Sequence, residues 1–140
     1  MILIYKLTTI QKPTYLHFII TGKNTVENIE RYFEEINREC TGRNCFRILI
    51  EERLDGPRLS MIKVLELISE QSCKCRGLFE TIAYVDVNAE GYWMQFIENV
   101  AVNRGLPMFV FSTVADAEKW LMNKNHLGTK QHTVWGLVDG

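Results

Sequence analysis

No stretch of this sequence approaches the roughly 18 consecutive apolar residues that a membrane-spanning helix needs. The opening MILIYKLTTI is apolar, but it lacks the leading basic residues and the longer apolar core of a signal peptide. A cytoplasmic location is therefore expected. Excess charge is missing as well: 16 basic residues stand against 17 acidic ones, for a net charge of −1. The basic residues are dispersed and often sit beside acids, as in Glu30-Arg31 and Glu51-Glu52-Arg53. Neither nucleic acid nor an anionic membrane is an expected partner of such a surface. Repeats, low-complexity tracts and Pro/Gly/Ser-rich linkers are also absent from the chain, so nothing divides it into parts.

Cysteine and histidine are sparse. The four cysteines, at 40, 45, 73 and 75, fall as Cys-x4-Cys and Cys-x-Cys, which are not the spacings of the common zinc sites. Of the three histidines, His17 alternates within a strand pattern, while His126 and His132 lie near the end of the chain. There is no Gly-x-Ser-x-Gly elbow, His-Glu-x-x-His pair, phosphate-binding glycine loop or dinucleotide fingerprint. No metal, cofactor or catalytic residue is expected from motifs, and a non-enzymatic protein is the leading expectation.

What is present is a regular alternation of elements. Residues 2–10 and 15–21 are rich in Ile, Leu, Tyr and Thr, with Gln11-Lys12-Pro13-Thr14 breaking between them. So short a link implies an antiparallel pair. Asn24 or Thr25 can cap a helix whose apolar positions are Val26, Ile29, Phe33, Ile36 and Cys40, and Thr41-Gly42 is the expected stop. A buried strand is expected at Phe46–Ile50, a helix over about 58–71, a strand at Thr81–Val87 and a helix over 90–103. A short strand at Met108–Phe111 and a helix capped by Ser112 or Thr113 complete the series. The order ββαβαβαβα describes an α/β fold. It has a mixed sheet, an N-terminal antiparallel strand pair, and helices packed against the sheet. One domain is expected over residues 1–124, followed by a tail, 125–140, with too little periodicity to place.

That order, with the stretches ILIEERLDGPRLSMIKVLELI, FETIAYVDVNAEGYWMQFIENVAVNRG and VFSTVADAEKWL, resembles the STAS superfamily and, within it, the SpoIIAA-like branch of small bacterial proteins. The resemblance implies a regulatory module that binds a partner protein, or a second copy of itself, and is switched by phosphorylation of a serine at a helix start. Laid on this chain, the family's Asp-Ser-Ser-Gly falls on Arg58-Leu59-Ser60-Met61, so Ser60 and the apolar register that follows it match. The branch is also similar in fold to lipid-binding modules, which implies a carrier of a small apolar ligand as the alternative. An enzyme using an acid at a strand end ranks lower.

The candidate site residues follow from these readings. Ser60 is the candidate phosphosite, because a phosphate there would meet the free N–H groups and positive dipole of a helix start; alternatively it caps that helix. Asp55, Arg58, Asp86 and Ser112 form a candidate ligand or partner loop, since three of them follow strand ends where α/β sheets place ligands. Each is equally open to a capping or turn role. Tyr92 and Met94, off the core stripe set by Trp93 and Phe96, are a candidate interaction surface.

Overall fold

The computed structural model describes residues 4–87 and 91–123. The tail 125–140, with His126 and His132, lies outside them. The elements are β1 (Tyr5–Gln11), β2 (Leu16–Lys23), α1 (Val26–Arg43), β3 (Arg47–Asp55), α2 (Met61–Lys74), β4 (Thr81–Asp86), α3 (Gly91–Asn103), β5 (Met108–Phe111) and α4 (Val114–Met122). The five strands form one mixed sheet in the order β1-β2-β3-β4-β5. β1 and β2 pair antiparallel, and the later neighbours pair parallel.

This topology decides where the helices go. Each crossover from β2 to β3, β4 and β5 steps to the next strand in the same direction. Right-handed crossovers that all advance one way put their helices on one face. The larger core accordingly joins α1, α2 and α3 to Phe18, Ile20, Ile48, Ile50, Ile82 and Val110 of the sheet. α4 packs on the opposite face, where Ala117, Trp120 and Leu121 meet Leu49, Ala83, Val85, Phe109 and Phe111. Strand side chains alternate between the two faces, so in β3 Ile48, Ile50, Glu52 and Leu54 face α1–α3 while Leu49, Glu51, Arg53 and Asp55 face the other way.

Element ends differ from the sequence expectations in three places. α1 continues through Thr41-Gly42 to Arg43, and Asn44 ends it with φ 52°, its N–H donating to the Cys40 and Thr41 carbonyls. Asparagine tolerates this left-handed cap better than most residues. β3 runs on to Asp55 rather than stopping at Ile50, because the parallel register with β2 and β4 carries the ladder through Glu51 and Glu52. α2 starts at Met61 rather than at residue 58. Ser60 is its N-cap, with Oγ accepting from the Lys63 N–H at 3.2 Å. Thr25 and Thr113 cap α1 and α4 in the same manner, through the N–H groups of Asn28 and Asp116.

Two close fits hold the rim of the sheet. Gly22 has φ +136°, and a Cβ there would lie 2.5 Å from the Ile4 carbonyl oxygen and 2.7 Å from the Tyr5 Cα. Only glycine lets β1 approach β2 at this point. At the neighbouring corner the Asn24 N–H donates to the Asp55 carbonyl at 2.6 Å, and Asn24 Nδ2 donates to the Pro57 carbonyl at 2.9 Å. The Asp55-Gly56-Pro57 turn is thereby tied to the start of α1.

Candidate functional site: an acid-ended cavity

Between the sheet and α1–α3 lies a cavity of ≈ 80 Å³. Most of its wall is apolar, with Ile29, Phe33, Leu67, Ile68, Trp93 and Ile97 contributed by all three helices. Its polar part sits at the C-terminal ends of the central strands. Glu52 of β3 and Asp86 of β4 are register partners there, and both line the cavity together with Tyr32 and Tyr84. Glu52, Tyr84 and Asp86 point to this side because they share strand parity with Ile48, Ile50 and Ile82.

Glu52 is the centre of a small network. It is 6% exposed. Tyr84 Oη donates to Oε1 at 2.7 Å, and Tyr32 Oη donates to Oε2. The Glu52 carboxyl is raised from its ordinary 4.5 to about 7, chiefly by burial and then by the neighbouring Asp86 charge, with the two tyrosine hydroxyls acting in the opposite direction. Loss of hydration thus outweighs two good hydrogen bonds. Both tyrosines are held well above their ordinary value, first by burial and then by the charge on Glu52, so they remain hydroxyl donors at neutral pH. No lysine, arginine or histidine forms an ion pair with Glu52 among the described residues.

Arg58 stands at the rim. Its guanidinium carbon lies 4.8 Å from the centre of the Trp93 ring, a cation–π geometry that fixes both side chains over the cavity. Leu59 lines the wall beside it. At the far side, Gln71 is 2% exposed and lines the same cavity, yet its Nε2 finds no hydrogen-bond partner among the described residues. A buried donor of this kind costs about 1–3 kcal/mol unless something accepts from it.

The candidate residues read from the sequence separate here. Arg58 and Asp86 line the cavity. Asp55 does not, because it follows Leu54 in β3 and so faces away from α1–α3; it is exposed. Ser112 also lies outside the lining, exposed in the turn that carries the chain from β5 to α4 on the opposite face. Ser60 is exposed at the start of α2 and acts as its cap. Tyr92 is 74% exposed, as a surface residue should be, whereas Met94 is 5% exposed and belongs to the core. The placement of Met94 on a surface is therefore corrected. α3 packs against both β5 and α2, so its buried face is wider than one stripe.

Glu52, Tyr32, Tyr84 and Gln71 were not singled out by the sequence. Glu52 looked like the polar end of an apolar run, and Tyr32 lay next to a stripe already accounted for by Phe33 and Ile29. Strand parity was the available signal, since Glu52 continues the Ile48, Ile50 series. On the other face, His17 Nε2 lies 2.8 Å from Glu51 Oε1, and Arg53 also pairs with Glu51. That contact matches a structural role for His17. Among the described residues no cluster of three or more His, Cys, Asp or Glu side chains has the arrangement of a metal site. The four cysteines are free thiols, with Cys40 and Cys75 buried.

The cavity can enclose a small molecule, present it with a carboxyl pair and two fixed hydroxyls, and keep its apolar part from water. A carboxyl near 7 can also accept or release a proton at neutral pH. No helix of the described residues is long and apolar enough to cross a membrane. No family model matches the chain, and no curated protein matches its sequence.

Proposed function

We propose that this chain is a non-enzymatic, STAS-like binding module that holds a small, largely apolar molecule in the cavity between the sheet and α1–α3. The observation that carries this reading is the cavity itself: six large apolar side chains are among those lining ≈ 80 Å³, with Glu52 and Asp86 gathered at one end. Packing for stability alone favours filling such a space, because unfilled volume costs packing energy. The STAS-like assignment is supported by the antiparallel opening pair, the parallel strands that follow and the serine at the start of α2. A bacterial, cytoplasmic setting belongs to the proposal and rests on the sequence alone.

Native mass spectrometry of freshly purified protein tests the reading. A retained small molecule in the wild type, lost in Leu67→Trp, where the added ring fills the cavity, is the expected result. A clean apo mass, together with no binding of any small apolar probe, would sink it.

A second reading, a regulatory module for a protein partner or a second copy of the chain, is favoured by the surface around the rim. Ser60, Met61, Ile62 and Tyr92 are all exposed there. In this reading Ser60→Asp changes the set of proteins retained in a pull-down while Ser60→Ala stays folded. Identical profiles for wild type and Ser60→Asp would count against it.

A further inference from the structure

Gln71 brings a buried donor to the cavity without an acceptor. It is 2% exposed, lines the cavity, and its Nε2 finds no partner among the described residues. The orientation of its amide is set from the other side. Cys75 Sγ lies 2.9 Å from the Gln71 carbonyl oxygen and 3.9 Å from Oε1, and Asn37 Nδ2 donates to the same sulfur at 3.7 Å. The sulfur's acceptor role is thus taken, its S–H faces the oxygens of Gln71, and Oε1 stays with the thiol. Nε2 is left to the cavity.

Topology puts this donor at the end opposite Glu52. α2 leaves the C-terminal end of β3 and returns to the start of β4, which pairs parallel to β3. It therefore runs back along the sheet, and Gln71, ten residues after Met61, lies roughly 15 Å down it. Leu67 and Ile68 precede it on the same face, and Leu106 and Met108 line the cavity at the start of β5. Arg104 Nε, donating to Ser69 Oγ at 2.7 Å, holds the link into β5 against this part of α2. These four apolar side chains supply no oxygen or nitrogen. A trapped water, which needs about two to four polar partners, is therefore a poor acceptor here. The Glu52 end makes no matching demand, because each carboxyl oxygen already accepts from a tyrosine.

We propose that the ligand is a neutral apolar carbonyl compound, seated with its body along α1–α3 and its carbonyl oxygen accepting from Gln71 Nε2. This inference rests on the cavity being a binding site, and it adds the ligand's polar group and its orientation. A hydrocarbon would satisfy the walls but leave the amide donor unpaired. A carboxylate would bury a full charge against one neutral donor among apolar side chains, at a far higher cost than a carbonyl. An alcohol or amine would bring a hydrogen of its own to side chains that offer no oxygen or nitrogen to receive it.

Cyclohexanone and methylenecyclohexane share a shape and differ at one position, oxygen against CH2. Isothermal titration of the full chain measures both, on the wild type and on Gln71→Leu. The ketone gives up more hydration than the alkene, so the quantity read is the ketone-to-alkene affinity ratio and its change between the two proteins. That ratio is expected to fall at least about fivefold in Gln71→Leu, as the loss of one buried hydrogen bond implies. If Gln71→Leu fails to fold, the infrared carbonyl stretch of cyclohexanone bound to the wild type decides the question, with a frequency below that in alkane solvent expected. An unchanged or higher ratio, or an alkane-like stretch, would overturn the carbonyl assignment while leaving a binding cavity in place. Failure of both probes to bind the wild type would overturn both.

Discussion

Replacing Glu52 by Gln should stabilise the protein at pH 8 and change little near pH 4.5. In the folded chain the Glu52 carboxyl titrates near 7, against an ordinary 4.5. Between those values the folded state keeps a proton that the unfolded state releases, so stability falls as pH rises. The loss is absent below about pH 4.5, where both states are protonated, and complete above about pH 7. At about 1.4 kcal/mol per pH unit, it amounts to about 3 kcal/mol. Glu52 is buried, so solvent screening does little to reduce it. Glutamine keeps the shape and one carbonyl acceptor, and its amide can donate to a tyrosine oxygen. Asp86, Tyr32 and Tyr84, which face Glu52 from β4 and α1, are common to both proteins. The difference between the two therefore reports Glu52. For a domain of this size about 3 kcal/mol corresponds to a Tm gain of about 10 °C. Circular dichroism melts of both proteins from pH 4.5 to 8.5 supply the test. A difference in Tm that does not change with pH, or one that favours the wild type at pH 8, would refute the reasoning.

Asp86→Asn removes the neighbouring charge that raises Glu52, so the pH window over which wild-type stability falls should move to lower pH in the same melts. Ser60→Ala deletes the cap on the Lys63 N–H and should cost about 1 kcal/mol, read as a lower urea midpoint at unchanged slope. Ser60→Asp keeps an N-cap acceptor and should stay near wild type. Gly22→Ala forces a Cβ to 2.5 Å from the Ile4 carbonyl oxygen at φ +136° and should cost more than about 2 kcal/mol, well beyond the ordinary effect of Gly→Ala at a compatible site.

The order of elements was legible because it depends on spacing. Val26, Ile29, Phe33, Ile36 and Cys40 announce a helix whatever they pack on, and TIAYVDV reads as a strand before its neighbours are known. The ends of elements were less legible. Glu51-Glu52-Arg53 looks like a solvated exit from a strand. It continues the ladder only because β2 and β4 flank it, and those neighbours lie far away in sequence. The site shows the same division. Asp86 could be found from its place at a strand end, whereas Asp55, equally placed, falls on the wrong face by one residue of parity. Glu52 became a site residue through hydroxyls from α1 and β4, 20 and 32 positions away. Such a convergence leaves no local pattern. Ser60 attracted attention as a lone hydroxyl before an apolar helix, and its observed contact is the capping bond to Lys63.

The central claim is that a small molecule occupies the space between the sheet and α1–α3. Amide chemical-shift mapping during titration with a small apolar probe, 4-ethylphenol, tests it most directly, because the two faces of the sheet serve as each other's control. The account predicts shifts at Tyr32, Glu52, Tyr84, Asp86, Trp93 and Gln71, with Trp120, Ala117 and His17 on the opposite face unmoved. Shifts confined to the α4 face, or none at saturating probe, would contradict it.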